Sequence, residues 1–277
     1  MCIFLEATCF HTIKPVRSPT IIVADSATGQ QDAGCDQQAK QHKKETTMFS
    51  PLYLIVMLLG AGITLWAQWK VQSTYKKYAQ VRNMRNLTGL DVARVLMRNE
   101  GIDHVRIEQI GGELTDHYDP RAKVMRLSAG SIAHPSVAAM AVVAHELGHA
   151  LQDQQGYAWL RVRSGIVGIV NVGSQLGGLL LIAGLVLGTF SRAGLAIAWI
   201  GVLLMSGGAI FSLVTLPVEF DASARARAML ERYGLVTRQE AEGVKAVLDA
   251  AALTYVAAAA TAILQMLYYV SLLMRRR

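Results

Sequence analysis

The sequence predicts a mainly α-helical protein embedded in a membrane, with a small β element at one end of the helices. Three observations predict this. Hydrophobic residues fill 52% of the 277 positions and charged residues only 17%. The apolar residues gather into runs of the length, about 20 residues, that crosses a ~30 Å hydrocarbon core. Lys and Arg cluster at the ends of those runs, where they set orientation and meet anionic head groups. The net charge of +7 and the pI near 9.4 therefore point to a lipid bilayer as partner and not to nucleic acid, for which no binding motif is present.

Residues 1–47 are polar, rich in Gln, Thr and Asp, and show no sustained period. Cys2, Cys9 and Cys35 all lie here, at no metal-ligand spacing, and the short apolar stretch after Met1 lacks the pattern of a signal peptide. The expectation is a non-native or disordered N-terminal extension, with Met48 as the start and a membrane-embedded domain over 48–277.

The first membrane segment is expected near 51–67. Lys70, Lys76, Lys77, Arg82 and Arg85 follow it and place the next part of the chain in the cytosol. Residues 88–99 read as an amphipathic helix with Thr88 or Asp91 at its start and Gly101 closing it. Alternation over 105–110 predicts a strand. Residues 114–118 and 124–128 predict a hairpin turning at Asp119-Pro120-Arg121, with 124–128 either an exposed edge able to accept an extended peptide or simply an arm of an ordinary hairpin. A helix then starts near His134-Pro135-Ser136 and runs through 137–151.

Membrane segments near 165–190 and 194–216 form a hairpin whose outer ends carry Arg161, Arg163, Arg225 and Arg227. Both ends are therefore cytosolic. Its glycines permit close helix approach. Pro217 is expected to break the second arm, and polar helices follow over 218–233 and 237–248, the latter opened by a capping box of Thr237 and Glu240. The run 250–274 ends in three arginines, which leaves open whether it spans, so the total is three or four.

Chemistry concentrates in Ala144-His145-Glu146-Leu147-Gly148-His149. Two histidines four residues apart share one helix face and can reach one ion, and imidazole pairs of this kind suit Zn²⁺. Glu146 stands one step round the helix, placed to take a proton from a metal-activated water. A hydrolytic site needs a third protein ligand. Glu219, two residues beyond Pro217 where the chain re-enters the cytosolic layer, is the candidate, the alternative being an acid favoured only by a helix dipole. Asp221 falls on another face and suits a supporting or capping role. His117 and His134 are rival ligands. Asp153 either orients a ligand or is simply exposed, and Arg225 and Arg227 either steady an oxyanion or meet lipid.

The segments Asp116-His117-Tyr118-Asp119-Pro120-Arg121, Ala144–Gln152 and Leu216-Pro217-Val218-Glu219-Phe220-Asp221-Ala222-Ser223 resemble the YugP-like membrane zinc metallopeptidases over about residues 48–277. More distantly, the layout resembles HtpX-like and CAAX-prenyl endopeptidases. The resemblance implies a gluzincin-type site with His145, His149 and Glu219 on zinc and Glu146 as base. It also implies peptide-bond cleavage at the cytosolic face of the cell membrane. One departure is Ser223, which stands where the distant relatives carry an acid supporting a histidine. Two other readings remain open: a zinc-dependent amidase or lipid hydrolase, and an inactive membrane adaptor or chaperone with a structural metal site.

Overall fold

The computed structural model describes residues 51–275. The expectation for 1–47 lies outside them. The described chain is mainly helical with one small sheet, as the sequence predicts. Its order is α1 (Pro51–Ala79), α2 (Gly89–Glu100), β1 (Arg106–Ile110), β2 (His117–Asp119), β3 (Val124–Ser128), α3 (Ala129–Ala133), α4 (Val137–Gln154), α5 (Ala158–Leu187), α6 (Arg192–Arg232) and α7 (Arg238–Met274).

Among the described residues four helices, α1, α5, α6 and α7, are long and apolar enough to cross a membrane. Their large apolar side chains face outward: Leu58 on α1 is 72% exposed and Ile169 on α5 is 77% exposed. An aqueous surface would leave such a belt uncovered, whereas lipid covers it. The helices pair antiparallel. Tyr53 of α1 meets Tyr268 of α7 with ring centroids 5.3 Å apart, and at the other end a Cβ on Gly243 of α7 would stand 2.8 Å from the ring of Tyr78. The α5–α6 hairpin is held by backbones in direct approach. A Cβ on Gly184 would collide with the Ala198 nitrogen, and one on Gly201 would lie 2.5 Å from the Leu181 nitrogen. Lipid gives helices no hydrophobic reason to associate, so this backbone-level packing is what holds the arms together.

A second layer lies at one end of the long helices. Here α2 and α4 bury Val92, Leu96, Met140, Leu147 and their neighbours in one core with Met229 and Leu230 of α6 and Val244 of α7. The α2 helix begins with a reciprocal capping box of Thr88 and Asp91 and ends at Gly101 in the left-handed conformation (φ 66°). The sheet has the order β1-β3-β2, with β1 parallel and β2 antiparallel to β3.

Four local expectations change. The strand 124–128 is central and paired on both sides, so β2 is the edge nearest α4. A short helix, α3, occupies 129–133 before the long one, because Ser128 caps it, its side chain accepting from the Ser131 amide. Pro135 consequently lies between two helices, and Ser136 caps α4. Pro217 does not break its helix: α6 continues for 41 residues with the proline inside. Proline costs one backbone hydrogen bond, but Thr215, Val218, Glu219 and Ala222 are buried on both sides of it, and that packing holds the chain helical through it. The polar helix and apolar run after residue 237 are likewise one helix, α7, opened by the expected Thr237–Glu240 capping box.

Candidate active site

Helix α4 carries His145, Glu146 and His149, and α6 crosses it at Gly148. A Cβ on Gly148 would sit 2.5 Å from the Ala222 carbonyl oxygen, so only glycine lets the two helices come this close. That crossing delivers Glu219, 2% exposed, to the two histidines. His145 Nε2 lies 3.3 Å and His149 Nε2 3.6 Å from Glu219 Oε2. One ligand atom from each residue falls within 4.8 Å of the others. The imidazole rings stand edge to face, with centroids 4.8 Å apart and planes at 86°.

Each ring has a partner on its far side, and that of His149 fixes its tautomer. Gln152, fully buried, places its amide oxygen 3.0 Å from His149 Nδ1. The orientation of that amide is settled by its other end, where Nε2 donates to the Val218 carbonyl and to Asp221 Oδ2, both at 2.8 Å. An amide oxygen only accepts, so His149 Nδ1 carries the hydrogen and Nε2 offers a lone pair. His145 Nδ1 has Ser223 Oγ at 3.2 Å. The serine thus occupies the position of the expected acid and still reaches the histidine.

A lone pair on His149 and the Glu219 carboxylate therefore converge on one point with His145. Such a point requires a cation, either a proton or a metal. Among the protein's own charges, burial works against protonating His149, but the neighbouring Glu219 and Glu146 carboxylates outweigh it and hold its pKa above the ordinary histidine range. The spacing suits a metal better than a proton. Ligand atoms ~2.0–2.1 Å from a tetrahedral zinc lie roughly 3.3–3.4 Å apart, longer than a good N–H···O bond. Glu219 Oε1 adds to the fit: it is buried without a hydrogen-bond partner among the described residues. The Arg163 guanidinium stands 3.0 Å from it without hydrogen-bond geometry.

Glu146 does not join this group. Its Oε2 accepts from the backbone amide of Tyr118 on β2 at 2.8 Å, which points the carboxylate at the mouth of the site. The Tyr118 hydroxyl donates to Asp153 at 2.6 Å, and Lys123 also pairs with Asp153. Asp153 therefore pins the hairpin to α4 and orients no ligand. Burial, then Asp153, pushes the Tyr118 hydroxyl well above the usual tyrosine range.

The rival ligands separate. His117 lines the cavity, but its Nδ1 is 2.9 Å from the Thr115 carbonyl, and His134 ends α3; neither belongs to the metal-binding group found among the described residues. Arg225 is taken up by Asp221 and Gln155 and stacks near Tyr157, away from the cavity. Asp221 has the expected supporting role, through Gln152. Gln152, Arg163 and Tyr255 were missed by sequence reasoning. Gln152 had a signal, since it lies three residues after His149 on the same helical side. Tyr255 comes from α7, lines the cavity and interacts with Glu219, and nothing local in the sequence marks it. The cavity in front of the group measures about 410 Å³.

No solved structure matches the chain. The "Putative membrane protease YugP" of Bacillus subtilis (strain 168) is 39% identical over 226 residues, 82% of this chain and 98% of that protein. The model of the family described as "Putative neutral zinc metallopeptidase" matches residues 53–274. With two histidines and a glutamate gathered between a sheet edge and a membrane hairpin, and with that match running almost from end to end of the described chain, the protein belongs to this metallopeptidase family.

Proposed function

We propose that the protein is a zinc-dependent endopeptidase that hydrolyses peptide bonds of membrane or membrane-proximal proteins. The observation that carries the reading is the convergence of His145 Nε2 and His149 Nε2 on Glu219 Oε2 at 3.3 and 3.6 Å, close to the edge of a zinc tetrahedron, with the three ligand atoms all within 4.8 Å of one another. When bound there, the cation supplies Lewis acidity, polarising a carbonyl and bringing the pKa of water down toward ~7. The protein's own residues do the rest. Gln152 and Ser223 hold the imidazoles in register. The Tyr118 amide holds Glu146 in place, and Glu146 takes a proton from the attacking water and returns it to the leaving amine. Arg163 and Tyr255 also line the cavity, where a hydrogen-bond donor can meet developing negative charge.

The edge position of β2 favours a peptide over a lipid or a small amide, because an extended chain can pair along it. The basic flanks after α1, before α5 and after the apolar part of α6 support a catalytic layer on the cytoplasmic side of the cell membrane. Replacing Glu146 by Gln tests the mechanism. Casein hydrolysis by the purified, zinc-loaded protein should fall ~10²–10⁴-fold while zinc content is kept. Equal rates with and without the change would refute the role. Hydrolysis of an acyl ester with no cleavage of casein would favour the lipid hydrolase. Zinc retention with no hydrolysis of anything would favour the adaptor.

A further inference from the structure

The cavity does not stop at the metal-binding group. One continuous wall follows α5 through Ser164, Val167, Gly168 and Asn171, and Phe211 of α6 faces it. Arg163 is the last charged residue on α5; positions 164–187 carry none. Arg163 also pairs with Glu219, so these two mark one level of the molecule. Asn171 lies eight residues beyond Arg163, and Phe211 lies eight residues before Glu219 on the antiparallel arm. At 1.5 Å per residue both are ~12 Å from that level, on the membrane side of it. With that level taken as the edge of a ~30 Å hydrocarbon core, the cavity enters about two-fifths of it.

Its inner wall carries two polar residues, Ser164 and Asn171, among Val167, Gly168 and Phe211, where lipid alone would demand apolar ones. Ser164 and Asn171 fall seven residues apart, on one side of α5. Asn171 is exposed, and its amide makes no hydrogen bond to another described residue. A polar group inside a span is costly unless it faces a pathway or a ligand. A Cβ on Gly168 would meet nothing within 4 Å, so the wall is open at this point.

Resting on the peptidase reading above, we infer that the site takes the cytosolic end of a substrate's own transmembrane helix, unwound and extended along α5, with Asn171 hydrogen-bonding its backbone inside the hydrocarbon layer. A path of ~12 Å accommodates three to four extended residues at ~3.3 Å each. Unwinding in lipid exposes peptide groups that need partners, and a side-chain amide, both donor and acceptor, supplies them. Asn171 is then a specificity-determining residue, distinguishing a membrane-embedded segment from a soluble chain.

The test uses the full chain, zinc-loaded, in liposomes. It compares casein with a single-span reporter whose cleavable sequence occupies the last four residues of its span. Wild type should cut both. Asn171→Leu and Gly168→Leu should each lower kcat/KM for the reporter at least 10-fold more than for casein, and mass spectrometry should place the cut within four residues of the span end. Equal losses on both substrates, or cleavage of casein with an intact reporter, would overturn the inference and leave the peptidase reading standing. Failure to cut casein as well would sink the peptidase reading itself. A photo-crosslinker at position 168 of the Glu146→Gln form should capture the reporter. Capture of lipid alone would assign the cavity to acyl chains and overturn the inference.

Discussion

Removing the Gln152 side chain should loosen the metal without unfolding the protein. Gln152 makes three hydrogen bonds, at 3.0 Å to His149, 2.8 Å to the Val218 carbonyl and 2.8 Å to Asp221. The first fixes the tautomer and plane of His149; the other two tie α4 to the ligand-bearing turn of α6. Loss of such an outer partner typically lowers metal affinity ~10–100-fold, which is about 1.4–2.7 kcal/mol. Gln152→Ala should therefore raise the zinc Kd by that factor in a chelator-competition titration. Gln152→Glu sharpens the case. It keeps an acceptor for His149 but turns a carboxylate oxygen toward Asp221 and the Val218 carbonyl, so it should restore little of the affinity. A Gln152→Ala protein that holds zinc as tightly as wild type, with thermal unfolding unchanged, would refute the claim that this residue orients His149.

Two more outcomes follow from local geometry. Gly148→Ala sets a Cβ 2.5 Å from the Ala222 carbonyl oxygen. It should separate α4 from α6, with a stability loss of ~1–3 kcal/mol in denaturant titration and a larger loss of zinc affinity than Gly130→Ala, where the nearest atom is 3.6 Å away. Tyr118→Phe keeps the backbone amide that holds Glu146 but removes the hydroxyl bond to Asp153, so casein hydrolysis should survive while stability falls by about 1 kcal/mol. The pH dependence has a definite sign. The folded state raises the Tyr118 pKa, so its contribution is complete below the unfolded tyrosine value of about 10 and is lost as pH climbs above it. A difference titration of tyrosine absorbance between wild type and Tyr118→Phe should show this residue ionising above the ordinary range; ionisation near pH 10 would contradict the buried contact.

Much of this was legible in the sequence because the signals are local. Thr88 with Asp91 and Thr237 with Glu240 are three residues apart, so both helix starts could be read directly. His145 and His149 share a face because they are one helical turn apart. Glu219 is 70 residues beyond His149, and it was found through the membrane hairpin that returns the chain to the same layer. The errors came where tertiary packing overrode local rules. Pro217 sits in a helix held on both sides by buried neighbours, and Val124–Ser128 became the central strand because β1 pairs with it in parallel across a distance that no local pattern reports. Tyr255 and Asn171 join the site from helices whose composition reads simply as apolar.

The central claim is that a metal is held jointly by α4 and α6, and metal content tests it most directly. Elemental analysis of protein purified without added chelator should give about one zinc per chain for wild type and for Glu146→Gln, and a small fraction of that for Glu219→Ala. Full zinc occupancy in Glu219→Ala would contradict the account, because Glu219 would then be a buried acid beside two histidines and no part of what holds the ion.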